Sequence, residues 1–465
     1  MLEFNELCPT LLDRWMRSGD LPNFKRLHDQ SQVFTSVADA EAPALEPWIQ
    51  WYSMHTGLSY AQHGVFHLTD GPLRDYPDIW SVLRAAGKTV INFSSMNAKG
   101  FDVPGSVFVP DPWCTSERPS PKELGVFFDV VAGQVQEYSN SDRGLGLGDL
   151  ARFGAFVATH GLRPSTAVGT AKLLAEERLK DRALSWKRVA VLDWLYRDVF
   201  AHYWRRTKAD FATIFLNSTA HLQHSYWRHM DPGAFIVQPT PQDVERFGDA
   251  ILFGYRNMDG LVGDFMELAG EDTMIVFATA LSQQPFTKYE EIGGQRFYRP
   301  RDLNALLGRL GVHPRVAQPV MTHQYQLRFN TEEEKWAGAE ALGRIALDGE
   351  QVFAVTDGED TSLFVGCQLR RPIGEEARLD FGAADQAPAP FFDHFYQIDA
   401  LKSGRHHPDG ALWFQTGHHQ RHAEKVSILD VMPTILDHFQ VANRPDSDHA
   451  YAGRSLVSRW MLQPA

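Results

Sequence analysis

A rhythm of short, uncharged apolar runs, set between segments of helical spacing, constrains this chain more than any other feature. Thr89-Val90-Ile91-Asn92-Phe93, Phe211-Ala212-Thr213-Ile214-Phe215-Leu216 and Thr273-Met274-Ile275-Val276-Phe277-Ala278 are each strand-length. A strand with one face in water alternates apolar with polar residues. A run that is apolar throughout belongs in a sheet covered on both faces, and parallel sheets are the ones covered that way. Between these runs the spacing is helical. Leu11, Leu12, Trp15 and Met16 follow Pro9-Thr10, a short helix starts within Leu21 to Leu27, and Trp48 to Met54 closes at Thr56-Gly57. Residues 118–205 read as mainly helical and 241–270 as one helix. The expected fold is α/β, a mostly parallel central sheet sandwiched by helices, in one domain over 1–465. Approximately residues 300–400 are less regular and form an expected smaller inserted subdomain. It has a helix at 331–346, strand-like runs at 351–355 and 362–367, and an Ala/Pro-rich loop from Gly382 to Pro390.

Bulk properties remove several function classes. A net charge of -13 argues against a nucleic-acid binder, because a phosphate backbone demands clustered Lys and Arg, but one local basic pocket still suffices for a small anion. Cys8, Cys114 and Cys367 are too few and too far apart for a disulfide framework or a zinc ribbon. The start, Met1 to Pro9, lacks a basic segment followed by an apolar one, which predicts no secretory leader. No run approaches the roughly 20 apolar residues of a membrane span. The expected location is the cytoplasm. Gly144-Leu145-Gly146-Leu147-Gly148 follows no strand and fits neither nucleotide motif, so it reads as a plain loop.

Motifs then recur in a definite order. Pro9 to Leu27 contains Leu21-Pro22-Asn23-Phe24, and Thr56-Gly57-Leu58 is followed by His63-Gly64-Val65-Phe66. His224, Tyr226-Trp227, Met230 and Asp231-Pro232 form a central group. Gly404, His406 and Gly410 give Gly-x-His-x-x-x-Gly, and Leu429-Asp430, Pro433-Thr434 and Gly453-Arg454-Ser455-Leu456 close the series. In this order the anchors resemble the alkaline phosphatase superfamily, in particular its type I phosphodiesterase/nucleotide pyrophosphatase branch.

That resemblance implies hydrolysis of phosphate or sulfate esters by two metal ions, which activate a Thr or Ser nucleophile and stabilise an in-line displacement. The implied positions are altered here. Where the family's first strand ends in a metal-binding Asp and a Gly, this chain has Asn5-Glu6. Near the place implied for the nucleophile stands Glu46-Pro47. The central Asp falls on Ala220, with His224 four residues on, and the last Asp-His pair falls on Ala280-Leu281. Of the main constellation His224 and His406 survive, and two neutral imidazoles alone make a poor site for a catalytic zinc, which takes three protein ligands. The expectation is therefore no metal, or at most one zinc or manganese on His224 and His406.

Each candidate has a functional and a plainer reading. Glu6, His224 and His406 are the expected catalytic set, His224 and His406 as metal ligands or acid/base groups; the plainer reading is two buried histidines and a strand-end turn. Asn5, Glu46, Ser94, Ser95, Asn97 and Gln283 are expected to contact a ligand. Against that, Glu46 is a helix N-terminal charge and Ser94, Ser95 and Asn97 a polar loop. Asp393-His394 and the cluster His418, His419 and His422 are candidate replacement ligands, or else a polar turn and a surface loop. Three functional readings follow. The first is a protein that has lost most of the two-metal site and binds an anionic ester, such as a nucleotide, nucleotide sugar or phosphorylated glycan, or a protein partner. The second is a hydrolase or group-transfer enzyme with a rewired site. The third is a structural or assembly subunit.

Overall fold

The computed structural model describes residues 1–114, 116–137, 146–320, 324–358, 360–383, 386–398, 402–441 and 451–461. At its centre is a nine-stranded sheet. Its strands run in the order Gln420–Arg421, Ser31–Val37, Asp409–Gln415, Val276–Ala278, Leu2–Phe4, Phe211–Leu216, Val90–Phe93 and Val107–Val109, with Val426–Ser427 also on Ser31–Val37. Asp409–Gln415 runs antiparallel to both its neighbours and the rest are parallel to one another.

The uncharged runs are explained by two cores. Alternate residues of each strand enter opposite faces. Leu2, Phe4, Ile91, Phe93, Ala212, Ile214, Leu216, Phe277, Ala411 and Trp413 join one core, with the helices Pro9–Ser18, Pro22–His28, Gly125–Glu137, Val189–Thr207 and Ala250–Ala269 over it. Val90, Phe211, Phe215, Val276, Ala278, Leu412 and Phe414 join the other, under Pro47–Thr56, Ile79–Ala85 and Val431–His438. Glu3 breaks the pattern on this second face, and His55 Nε2 meets its Oε1 at 2.9 Å.

The segment expected as one helix over 241–270 is two, Pro241–Phe247 and Ala250–Ala269. Gly248 and Asp249 separate them, and a side chain at Gly248 would meet the Val244 carbonyl at 2.6 Å. Two strands absent from the sequence reading, Ser31–Val37 and Asp409–Gln415, pair over seven residues. Between Tyr298 and Phe395 a third core holds together two four-stranded sheets and the helices Leu303–Arg309 and Glu332–Gly343. Gly144 and Leu145 lie outside the described residues. Among the described residues no helix is long and apolar enough to cross a membrane.

Candidate functional site

The strands Leu2–Phe4 and Phe211–Leu216 are parallel and in register, so their carboxyl ends open side by side. Open α/β sheets bind ligands at that edge. Asn5 N extends the ladder to Leu216 O at 2.9 Å, and Glu6 then turns away with φ 62°. That left-handed conformation normally suits glycine, so a glutamate there is held by its surroundings. The holding groups are visible. Gln223 Nε2 donates to the Glu6 carbonyl at 2.8 Å. Asn5 Nδ2 donates to Glu6 Oε1 at 2.8 Å and to Asn217 Oδ1 at 2.7 Å, while Trp51 Nε1 donates to Asn5 Oδ1 at 2.8 Å. Gln283 Nε2 donates to Glu6 Oε2 and, at 3.0 Å, to the carbonyl of Ala220.

The buried Glu6 carboxylate faces two imidazoles. His224 Nε2 lies 3.2 Å from Glu6 Oε2 and His406 Nε2 3.6 Å from the same oxygen. His224 comes from the helix Ser218–Met230, one turn beyond Ala220. His406 comes from the strand Gly404–His407, which pairs antiparallel with Ser282–Pro285 and sets His406 opposite Gln283. Each imidazole is fixed from behind: Nδ1 of His224 donates to the Gly404 carbonyl at 3.0 Å, and Nδ1 of His406 to the Leu45 carbonyl at 2.8 Å. With Nδ1 carrying the proton, Nε2 presents a lone pair toward Glu6.

Protonation favours the same arrangement. Burial alone would raise the Glu6 carboxyl, but in the acid range, where the imidazoles are protonated, the charges of His406 and His224 and bonds from His224 and Gln283 outweigh it and hold the group at about 2. Burial pulls His406 down to about 4 despite the attraction of Glu6. At neutral pH the carboxylate is therefore ionised and His406 neutral, the forms that bind metal.

These donors fit a cation. Around zinc, with bonds of about 2.0–2.2 Å, tetrahedral ligand atoms stand roughly 3.3–3.5 Å apart. The separations of 3.2 and 3.6 Å bracket that spacing, and all three donor atoms lie within 4.8 Å of one another. Hydrogen bonds from the far nitrogen of each imidazole to a carbonyl are how metal-binding histidines are oriented. The objection that two imidazoles are too few is met by Glu6, which supplies a third donor.

Glu46 sits on the rim. It precedes the helix Pro47–Thr56 but makes no side-chain capping bond; instead its Oε2 lies 3.5 Å from His406 Nδ1. Burial pushes its carboxyl up to about 8, opposed by Lys402 and reinforced by Glu6, so it carries a proton at neutral pH. Ser94, Ser95 and Asn97, expected as ligand contacts, bond elsewhere. Ser94 Oγ donates to Pro110 O and Tyr196 Oη, Ser95 Oγ pairs with Thr213 Oγ1, and Asn97 ties His67 O, Gly71 N and an Asp111 carboxylate oxygen together. Asp393 is exposed, and His394 lies against Arg309 and Phe381 within the 298–395 region. Gln223 was missed by the sequence reading. Its signal was helix spacing, since it shares the buried face of Thr219, Ala220 and Trp227.

A second cluster has comparable composition. His28 Nδ1 lies 3.3 Å from Asp29 Oδ1, and the His28 and His419 ring centroids are 4.5 Å apart. Asp29 also pairs with Lys25, and Arg421 approaches His28 Nε2 at 3.3 Å. His422 stacks on Phe34 and bonds Gln32, while His418 is exposed.

A family model described as type I phosphodiesterase / nucleotide pyrophosphatase matches residues 4–360. No curated protein matches the chain. Among solved structures, a mutant of the alkaline phosphatase PafA is similar at 12% identity, over 98% of this chain and 97% of that one, with a TM-score of 0.47. Phosphonoacetate hydrolase from Sinorhizobium meliloti 1021 in complex with phosphonoacetate is similar at 12% identity, over 95% of each chain, with a TM-score of 0.42. Murine ectonucleotide pyrophosphatase / phosphodiesterase 5 is similar at 11% identity, over 96% of this chain and 95% of that one, with a TM-score of 0.37.

Proposed function

This chain belongs to the type I phosphodiesterase / nucleotide pyrophosphatase family, and from that premise we propose that it binds an anionic ester at a centre for one divalent cation, having given up the second. Glu6, His224 and His406 hold the cation. The observation that carries this reading is the convergence of Glu6 Oε2 with both Nε2 atoms at 3.2 and 3.6 Å, each imidazole fixed through Nδ1 to a carbonyl. Two imidazoles and a carboxylate suit zinc, and three protein ligands leave a coordination position for a ligand oxygen. When bound, the ion would act as a Lewis acid toward that oxygen.

The second ion is given up because its donors are missing. Ala220 and the segment Ala280-Leu281 offer no ligand atom, and Gln283 spans from Ala220 to Glu6 with its amide. Asn5 is neutral and spends its side chain orienting Glu6, Asn217 and Trp51. One carboxylate offsets one divalent ion in part; it cannot offset two.

Ester hydrolysis or group transfer is a second reading, favoured by Glu46. Its carboxyl at about 8, against His406, is able to give or take a proton near neutrality.

Metal content by elemental mass spectrometry tests the proposal, on protein purified without chelator beside a His224→Ala/His406→Ala variant. About one zinc or manganese per chain, absent from the variant, is the expected result. Equal metal in both proteins, or none in either, refutes the cation centre.

A further inference from the structure

We propose that Tyr255 is a positioning residue for this centre: its hydroxyl ties the loop after Glu6 to the helix that carries His224, and so sets the spacing of those two side chains. That the spacing serves a cation rests on the reading of the Glu6 cluster as a cation centre; the tie itself does not.

The spacing needs an outside cause. Glu6 Oε2 and His224 Nε2 stand 3.2 Å apart, yet the proton of His224 is on Nδ1, given to the Gly404 carbonyl. A carboxylate oxygen and an imidazole lone pair are both acceptors and do not draw each other together. Glu6 is also held at φ 62°, a conformation that favours glycine.

One phenolic oxygen supplies the cause. Tyr255 lies in the helix Ala250–Ala269, which packs tightly on Ser218–Met230: a side chain at Gly254 would meet Leu222 Cδ1 at 2.9 Å and Thr219 Oγ1 at 3.0 Å. That approach sets Tyr255 beside Gln223, wholly buried and edge-on to Trp15, the ring centroids 4.6 Å apart. Tyr255 Oη donates to Gln223 Oε1 at 2.8 Å and accepts from Cys8 N at 2.6 Å. Burial raises this phenol well above its ordinary value, so its proton stays available to give. Gln223 immediately precedes His224, and Cys8 is two residues beyond Glu6.

Each bond fixes something the centre needs. With Oε1 on the phenol, the Gln223 amide turns its nitrogen to the Glu6 carbonyl, which Nε2 reaches at 2.8 Å. Reversed, the amide would set oxygen against oxygen. Cys8 N opens the helix Pro9–Ser18, where no carbonyl of that helix can take it, and the phenol is its acceptor. The Cys8 thiol is a poorer holder of Gln223. It lies 3.3 Å from Oε1 and 3.0 Å from the Gln283 carbonyl, with one weakly donated proton for both.

The test compares wild type, Tyr255→Phe and Tyr325→Phe. Tyr325 is a matched control: it is buried, and its Oη accepts from Arg299 Nε at 2.8 Å in the core of the 298–395 region. Both variants leave a buried donor without its phenol, so both should lose stability in urea. Zinc affinity, read by competition with a chromophoric chelator, should fall about 10–100-fold in Tyr255→Phe and stay at the wild-type value in Tyr325→Phe. In metal-free protein carrying isotope-labelled histidine, the His224 ring resonance, identified with His224→Ala, should move in Tyr255→Phe and not in Tyr325→Phe. Should Tyr255→Phe fail to fold, Gln223→Met removes the same link from its other end and is read in the same way. Wild-type zinc affinity in Tyr255→Phe, or an equal loss in both variants, overturns the assignment. If wild type itself binds no zinc, the cation reading fails and the resonance decides alone. A shift confined to Tyr255→Phe then keeps Tyr255 as the tie, and an unmoved resonance removes it.

Discussion

Among the described residues two clusters of histidine and carboxylate have metal-ligand spacing, and their surroundings are opposite. Glu6, His224 and His406 come from three distant parts of the chain and meet at the carboxyl edge of the sheet. His28 and Asp29 are neighbours in sequence, with the exposed His419 ring tilted against that of His28. In the first cluster the carboxylate faces only the imidazoles and the neutral amides of Asn5, Gln223 and Gln283. In the second the carboxylate already pairs with Lys25, and Arg421 stands at the lone pair of His28. Composition is thus a poor guide to a cation site. What separates the two is whether the negative charge is still available, and whether the imidazoles are turned so that their free nitrogens converge.

The sharpest way to break this comparison is Glu6→Gln. The amide keeps the shape but accepts at one oxygen only, so it loses one of the bonds from Asn5 and Gln283 together with the only charged donor of the buried cluster. Loss of a supporting hydrogen bond costs a metal site about 10–100-fold, and loss of a ligand costs more. Glu6→Gln should therefore lose at least about a hundredfold in zinc affinity, read by competition with a chromophoric chelator. Wild-type affinity in this variant would move the cation elsewhere, the surface cluster first.

Gly404→Ala tests the orientation rather than the charge. A Cβ at 404 would lie 2.2 Å from Gln283 Oε1 and 2.5 Å from the Gln223 carbonyl. Backbone must shift to admit it, and the carbonyl that fixes His224 shifts too. Overpacking of this kind destabilises by about 1–3 kcal/mol. Urea denaturation should show that loss, together with weaker zinc binding. Unchanged stability would mean that the strand Gly404–His407 is not packed as closely as described.

In metal-free protein, acid should act on the buried cluster in one direction. His406 is held at about 4 against an ordinary 6.5, so the unfolded chain takes its proton first as pH falls. Its contribution to stability is present above 6.5 and declines as pH drops from 6.5 toward 4. Glu6, at about 2 against 4.5, extends the decline below pH 4.5. His406→Gln should flatten the upper part of that slope in denaturant midpoints measured at successive pH values. An unchanged slope would show that His406 is not desolvated in the folded state.

Much of this architecture was legible in the sequence because burial on both faces leaves a strong imprint. Phe211–Leu216 has no charge for the reason that Phe215 and Ile214 enter different cores. Ser31–Val37 left no such imprint. It mixes Ser31, Gln32 and Ser36 with Val33 and Phe34, and its place is set by seven-residue pairing with Asp409–Gln415, which no local pattern encodes. Motif order singled out the residues of the proposed centre, but their relation was not legible. That Glu6 reaches His224 depends on a left-handed backbone at a residue with a side chain, and on amides of Asn5, Gln223 and Gln283 supplied from positions far apart in sequence. Ser94, Ser95 and Asn97 misled for the converse reason. They follow a strand end, as ligand residues do, yet the loops around them use up their polar atoms.

The smallest effect expected is that of His419→Ala, and it is the control that gives the others meaning. His419 donates through Nδ1 to the His28 carbonyl at 2.8 Å and lies tilted against the His28 ring, but it is exposed. Removing an exposed side chain of this kind changes stability by no more than about 0.5 kcal/mol. With Asp29 spent on Lys25 and Arg421 beside His28, zinc content should also stay at the wild-type value. If instead His419→Ala halves the bound zinc, the pairing of Asp29 with Lys25 does not neutralise it as argued. Convergence of donors would then be sufficient for a cation at the surface as well as in the buried centre.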